Sequence, residues 1–227
     1  MNELYWVVML LANFIFIMVA FRFWGKIGLF IWIPISVIIA NIQVTKTVDL
    51  FTLSATLGNI VYATSFLATD ILSECYTKED AKQAVYIGFF SMIVMTVLMN
   101  IALLFAPSSS DFVHESMKTI FGLMPRIALA SLIAYAMSQF HDIYVFHKIK
   151  KVLPSKKHLW VRNNLSTLIS QLIDSIVFTL IAFYGVFDTS TLLDIFITTY
   201  LLKIVVALLD TPFIYLASSW HKKYAIT

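Results

Sequence analysis

The chain has 227 residues, of which 60% are hydrophobic and only 13% charged, with a formal net charge of +3. Soluble domains carry about 25% charged residues, so too few polar side chains exist here to cover a water-facing surface, and there is no room for a second, soluble domain. The small net charge without an aromatic-interleaved basic patch excludes a nucleic-acid partner, and Cys75, the single cysteine, excludes an intrachain disulfide or a Cys-based metal site.

The apolar residues come in blocks near the ~20 residues that span a bilayer. Seven such blocks predict membrane-spanning helices near residues 4–22, 27–46, 55–76, 83–106, 122–147, 160–187 and 191–219. The expected fold is all-α: a polytopic integral membrane bundle forming one transmembrane domain over residues 1–227. The first block opens on Glu3 rather than a basic residue, runs too long for the core of a signal peptide and is followed by no small-residue cleavage site, so it reads as a retained helix. The connections at 22–26, 47–54 and 77–82 are short. Residues 107–121 form the longest connection, and 148–159 the most basic.

Lysine and arginine beside the spans set orientation. Alternate connections hold Arg22 and Lys26, Lys78 and Lys82, the set Lys148, Lys150, Lys151, Lys156, Lys157 and Arg162, and then Lys222 and Lys223. The opposite side has only Lys46 and Lys118, with Arg126 near the same face. The asymmetry predicts an external N-terminus and a cytoplasmic C-terminus.

Asp70, Arg126, Asp174 and Lys203 lie inside these apolar spans. An ionisable group at that depth costs about 3 kcal/mol or more, and marks a substrate or ion pathway by default. Helical periodicity groups the polar residues into stripes. Phe66, Asp70 and Glu74 share a face of the third span. Tyr135, Gln139 and Asp142 share one in the fifth, extended by Ser131 and Ser138. Asn164, Thr167, Gln171 and Asp174 share one in the sixth, and Thr199, Lys203 and Asp210 one in the seventh. By depth they form an outer set (Asn41, Asn59, Arg126), a middle pair (Asp174, Lys203) and an inner set (Asp70, Gln139, Asp142). Asp174 and Lys203 are near the middle of antiparallel spans and are placed to meet, either as a structural ion pair or as a functional one. Asp70, Glu74, Arg126 and Asp142 also admit the plainer reading of charges reaching for the membrane edge, and Asn41, Gln43 and Asn59 that of interhelical hydrogen bonds.

A polar track through the membrane suits a carrier. Its carboxylates and amides suit a flat, donor-rich heterocycle. Asp70 or Asp174 can accept two N–H bonds from a guanine-like edge, Gln139 and Asn41 both donate and accept, and Tyr62, Phe66, Tyr135 and Tyr200 offer rings for stacking. A membrane-embedded enzyme would need a nucleophile–base pair or metal ligands on facing helices, and the sequence supplies neither. The five histidines fall at span ends or in loops, without metal-ligand spacing. No metal or cofactor is expected.

At these same stripes the sequence resembles the queuosine precursor transporter family, also described as vitamin-uptake-like. The resemblance is carried by Ala40-Asn41 with Val44-Thr45, by Phe66-Leu67-Ala68-Thr69-Asp70, and by Arg126-Ile127-Ala128 with Ser131 and Ala134-Tyr135. Gln139 and Asp142 with Val145-Phe146, Ser166-Thr167 with Asp174, and Lys203 complete it. It spans residues 27–219 and leaves helix 4–22 as an extra N-terminal element on an expected six-helix core. It implies import of 7-cyano-7-deazaguanine or 7-aminomethyl-7-deazaguanine across the bacterial plasma membrane, and a fold similar to the substrate-binding components of energy-coupling-factor vitamin transporters. It points to Asn41, Asp70, Arg126, Gln139, Asp142, Asp174 and Lys203 as substrate-binding. Within that set we assign Asp70, Gln139 and Asn41 to the deazapurine, Arg126 and Asp142 to gates, and Asp174–Lys203 to a central pair. The energy source is not legible: buried acids allow proton coupling, while the family's likeness to vitamin transporters leaves an energy-coupling ATPase module, or a homo-oligomer, open as partners.

Overall fold

A computed structural model describes residues 1–50, 53–122, 124–185 and 188–224. Helices dominate: α1 (Asn2–Gln43), α2 (Gly58–Cys75), α3 (Lys78–Ala102), α4 (His114–Phe121), α5 (Met124–Val152), α6 (Leu159–Phe183) and α7 (Thr189–Tyr224), with a two-stranded hairpin, β1 (Thr47–Leu50) and β2 (Leu53–Thr56), between α1 and α2.

α1 is a helical hairpin. Gly25 takes φ 56° and ψ −131°, a backbone region that only glycine enters at little cost, and the chain doubles back there. The two arms touch along their length: Gln43 Nε2 lies 3.8 Å from Met9 Sδ, and the rings of Phe16 and Trp32 are 6.3 Å apart. Gly28 lets the arms close at the turn, since a Cβ there would sit 2.1 Å from the Ala20 carbonyl oxygen. The arms correspond to the first two spans expected from sequence.

Among the described residues, five helical stretches are long and apolar enough to cross a membrane, with α1 counted as one. The protein is accordingly a multi-pass membrane protein. α2 is the exception: it carries too many polar residues to qualify. It has no need to, because 15 of its 18 residues are buried, with α1, α3, α5 and α7 packed around it. The apolar side chains that α1, α3, α5, α6 and α7 leave exposed, such as Ile15, Phe90, Leu129, Leu180 and Leu208, face outward from the bundle where lipid is the solvent.

Boundaries differ from expectation where local chemistry intervenes. α1 ends at Gln43 rather than 46, because Thr47 starts a strand that pairs antiparallel with Thr56. The 47–54 stretch is thus half of a hairpin rather than a bare connection, although residues 51 and 52 are outside the described set. α3 starts at Lys78, five residues early, because Thr77 and Asp80 form a reciprocal cap, each side chain accepting the other's backbone N–H (3.1 and 3.2 Å). The 107–121 connection contains α4. Asp111 accepts from the N–H groups of Val113 and His114 (2.7 and 2.8 Å), and these bonds hold its carboxyl below the usual carboxylate range. α5 runs on to Val152, and α6 stops at Phe183; residues 186 and 187 of the expected 160–187 span, and residue 123 of 122–147, lie outside the described set.

The bundle has two distinct ends. The hairpin end carries the N-terminus, where Asn2 Nδ2 donates to the Asp49 carbonyl (3.0 Å), together with β1–β2 and α4. The basic end carries the Gly25 turn, the α2–α3 and α5–α6 connections, and the end of α7, where Arg22 lies 4.1 Å from the Tyr224 ring centroid.

Candidate functional site

A pocket with about 330 Å³ of space between its walls, part of it open solvent, lies in the half of the bundle nearer the hairpin end. It is lined by Asn41 from α1 and Val44 just beyond it, Gly58, Asn59 and Tyr62 from α2, Ser131 from α5, Asp174 and Phe178 from α6, and Lys203 from α7. Its chemistry is concentrated at one wall. Lys203 Nζ forms an ion pair with Asp174 Oδ2, both side chains being 3% exposed or less. The other carboxylate oxygen of Asp174 accepts from Tyr62 OH at 2.5 Å and from Ser138 Oγ at 3.2 Å. Lys203 Nζ also lies 4.9 Å from the Tyr62 ring centroid, within cation–π range. Four helices therefore hold one charged cluster through hydrogen bonds that define each rotamer.

Two amides also line the cavity. Asn59 Nδ2 donates to Thr56 Oγ1 (3.0 Å) and Thr199 Oγ1 (3.3 Å). Asn41 Nδ2 donates to the Val37 carbonyl (2.8 Å), and its Oδ1 is buried with no partner among the described residues. A buried acceptor left unpaired costs about 1–3 kcal/mol, and here the acceptor belongs to a side chain lining the cavity, where a ligand N–H would satisfy it. The cavity thus offers an acceptor amide, a carboxylate, an ammonium and an aromatic ring to a small polar, planar guest.

The seven residues singled out from sequence separate into three places. Asn41, Asp174 and Lys203 line the cavity. Asp70, Gln139 and Asp142 are buried deeper, towards the basic end. There Thr69 Oγ1 donates to Gln139 Oε1 (3.0 Å), Thr167 Oγ1 to Asp70 Oδ2 (3.2 Å), and Asn163 Nδ2 to Asp210 Oδ1 (2.9 Å). Asp70, Asp142 and Asp210 have no cation within ion-pair distance among the described residues. Arg126 is exposed at the hairpin end and donates to the carbonyls of Ile181 (3.0 Å) and Tyr184 (2.7 Å). That places its charge on the C-terminal carbonyls of α6, where the helix dipole favours a cation.

Ser131 joins the site from the fifth-span stripe, Asn59 from the outer set and Tyr62 from the rings expected to stack. Gly58 and Phe178 carry no polar signal and were not legible. Arg162 was assigned to the basic connection, yet it is fully buried. Its Nη1 donates to the carbonyls of Leu153 (2.9 Å), Pro154 (3.3 Å) and Ser155 (3.0 Å), and its Nη2 to Glu74 Oε2 (2.7 Å). Lys150 reaches the same carboxylate at 3.2 Å. This knot ties α2, α5 and α6 together at the basic end, beneath the buried acids. Among the described residues no group of three or more His, Cys, Asp or Glu is arranged to hold a metal ion.

Replacing Tyr62 with Phe keeps the ring and removes one hydrogen bond to a charged group, an interaction worth about 1.5–3 kcal/mol. A fall of roughly 10-fold or more in the affinity of the transported solute is the expected result, read as its half-saturation concentration in uptake at unchanged protein level. An unchanged value would remove Tyr62 from the site.

The family model described as "putative vitamin uptake transporter" matches residues 56–217. A "probable queuosine precursor transporter" of Bacillus subtilis (strain 168) is 44% identical over 216 residues, covering 95% of this chain and 94% of the relative. That alignment leaves so little unmatched that it takes in most of the first arm of α1. A "probable queuosine precursor transporter" of Haemophilus influenzae is 30% identical over 135 residues (59% of this chain, 54% of the relative). The "queuosine precursor transporter" of Escherichia coli (strain K12) is 24% identical over 172 residues (74% and 75%). No solved structure matches the chain. With a polar chamber inside a multi-pass bundle, a family match over most of its length and 44% identity across nearly all of a relative, the chain belongs to the vitamin uptake transporter family and is similar over nearly its whole length to the probable queuosine precursor transporter of Bacillus subtilis.

Proposed function

We propose that this protein imports queuosine precursors, 7-cyano-7-deazaguanine or 7-aminomethyl-7-deazaguanine, across the bacterial plasma membrane, and that it is a carrier and not an enzyme. The relatives named as queuosine precursor transporters supply the substrate class. The observation that carries this reading is the cavity lining: Asn41, whose Oδ1 is buried without a partner among the described residues, shares it with Asp174, Lys203 and Tyr62. In this reading Asn41 and Asp174 meet N–H groups of the deazapurine, Lys203 neutralises the carboxylate and Tyr62 packs against the ring. Asp70, Gln139 and Asp142 act deeper, on the path to the basic end, and Arg126 at the opposite end. The basic connections, including the α5–α6 loop, gather at one end of the bundle and support a cytoplasmic assignment for it, with the N-terminus outside and the C-terminus inside.

The test is expression in a bacterium that neither makes the base nor imports it, with queuosine in tRNA assayed at low external precursor. Queuosine restored by this chain alone is the expected result. A membrane-localised chain that restores none would favour the second reading, a substrate-binding component of an energy-coupling-factor transporter for another vitamin or nucleobase, dependent on an ATPase module. The family's description as a vitamin uptake transporter keeps that reading in view.

A further inference from the structure

The seam between the first arm of α1 and the end of α7 is closed on one side and open on the other. Inside, Phe14 packs on Phe213 with ring centroids 4.5 Å apart. Outside, Ile15, Met18, Val19, Phe213, Leu216 and Trp220 line a groove with about 570 Å³ of open space. Ile15 and Val19 are 56% and 41% exposed. From Ile15 to Arg22 the groove follows α1 for about 10 Å.

The groove is apolar along its walls and cationic at one end. Arg22 is among its lining residues, and Lys223, three residues beyond Trp220, is exposed on the last turn of α7. Arg22 rests on the Tyr224 ring at 4.1 Å, and neither cation forms a salt bridge among the described residues. Stacking occupies one face of a guanidinium and leaves its N–H edge free, and that planar fork matches phosphate oxygens. The cations lie at the basic end, where the bundle meets the aqueous boundary of the bilayer. An apolar slot at acyl-chain depth, ending in unpaired cations at headgroup depth, has the polarity of a phospholipid.

We propose that this groove binds an anionic phospholipid, with an acyl chain in the α1–α7 seam and the phosphate held by Arg22 and Lys223. Charge favours a lipid over a second copy of the chain. A symmetric dimer on this face would bring its own two cations to the same depth, like charge against like.

Trp220 is the reporter. Protein in phosphatidylcholine vesicles is titrated with lipids whose acyl chains carry bromine, which quenches tryptophan on contact. Brominated phosphatidylglycerol is expected to quench a share of the emission that brominated phosphatidylcholine at equal mole fraction leaves intact, and Trp220→Phe to remove that share. Arg22→Gln should raise the phosphatidylglycerol fraction needed by about fivefold, the equivalent of ~1 kcal/mol per basic residue near an anionic headgroup. Its unfolding midpoint checks that the variant is folded. Lys223→Gln, on the exposed end of α7 and away from the core, should weaken binding in the same direction. Equal quenching by the two headgroups overturns the proposal. So does a preference that survives both charge removals, or a Trp220 signal shielded from both lipids in a dimer cross-linked through this face.

Discussion

Lys203→Ala is expected to abolish precursor uptake, to below about 1% of the unaltered protein, and to lower the unfolding midpoint. The ammonium is 2% exposed and its partner Asp174 is equally buried. Removing one member of a buried pair strands the other and costs about 3–5 kcal/mol, roughly two to three and a half decades in an equilibrium constant. Among the described residues, Asp174 would keep Tyr62 and Ser138 as donors. Because a loss of stability alone would also end uptake, the informative comparison is the double variant Lys203→Met with Asp174→Asn. A neutral pair of similar volume removes the stranded charge, and the midpoint should recover most of what Lys203→Ala lost. Uptake should stay lost, because the cavity no longer presents a carboxylate and a cation. If uptake returns with stability, the pair is scaffolding and the site lies elsewhere.

Arg162→Met is expected to destabilise the protein by about 2–4 kcal/mol and to open the α5–α6 connection. The guanidinium is buried against Glu74 and three consecutive carbonyls, so one substitution removes four hydrogen bonds. Lys150 remains 3.2 Å from Glu74, which keeps the cost toward the low end of that for a broken buried pair. Two measurements check it. A double-mutant cycle with Glu74→Gln should return a coupling of about 1–3 kcal/mol, as for residues in one network. Trypsin should cleave at Lys156 and Lys157 at least 10-fold faster, because nothing else described on α6 holds the 153–155 carbonyls. Unaltered proteolysis with a coupling near zero would show that Arg162 is buried without anchoring the loop.

Much of this architecture was legible in the chain. The apolar blocks mark the membrane crossings because lipid demands long uninterrupted hydrocarbon surface, and their polar stripes follow from helical periodicity alone. Asp174 and Lys203 stand out because each is a lone charge near the centre of its span. What was hidden depends on neighbours distant in sequence. Arg162 sits among five lysines of one connection, and only the fold distinguishes the cation that turns inward to Glu74. Arg126 looks like a cavity residue by position, yet the carbonyls it meets belong to Ile181 and Tyr184, more than fifty residues away. Asp70 is two helical turns from Tyr62, about 12 Å along α2, so a carboxylate and a ring both expected to meet the base occupy different levels. The β hairpin was read as a connection because eight residues at a span boundary carry too short an alternation to separate from a loop.

The enclosure of α2 has a consequence for how the protein comes into being. A ribosome delivers the chain segment by segment, and the insertion machinery weighs each against lipid before its eventual neighbours exist. The doubled first helix passes that test by itself; α2, with Asn59, Asp70 and Glu74, does not reach the same apolarity. It is accommodated by the company it keeps, first the arms already in place and then α3. The partners that complete its polar face, Asp174 and Lys203, emerge only in the final third of synthesis. The solute chamber is therefore the last part of the molecule to exist, and a chain cut short before α7 has an open, half-polar furrow in place of a binding site.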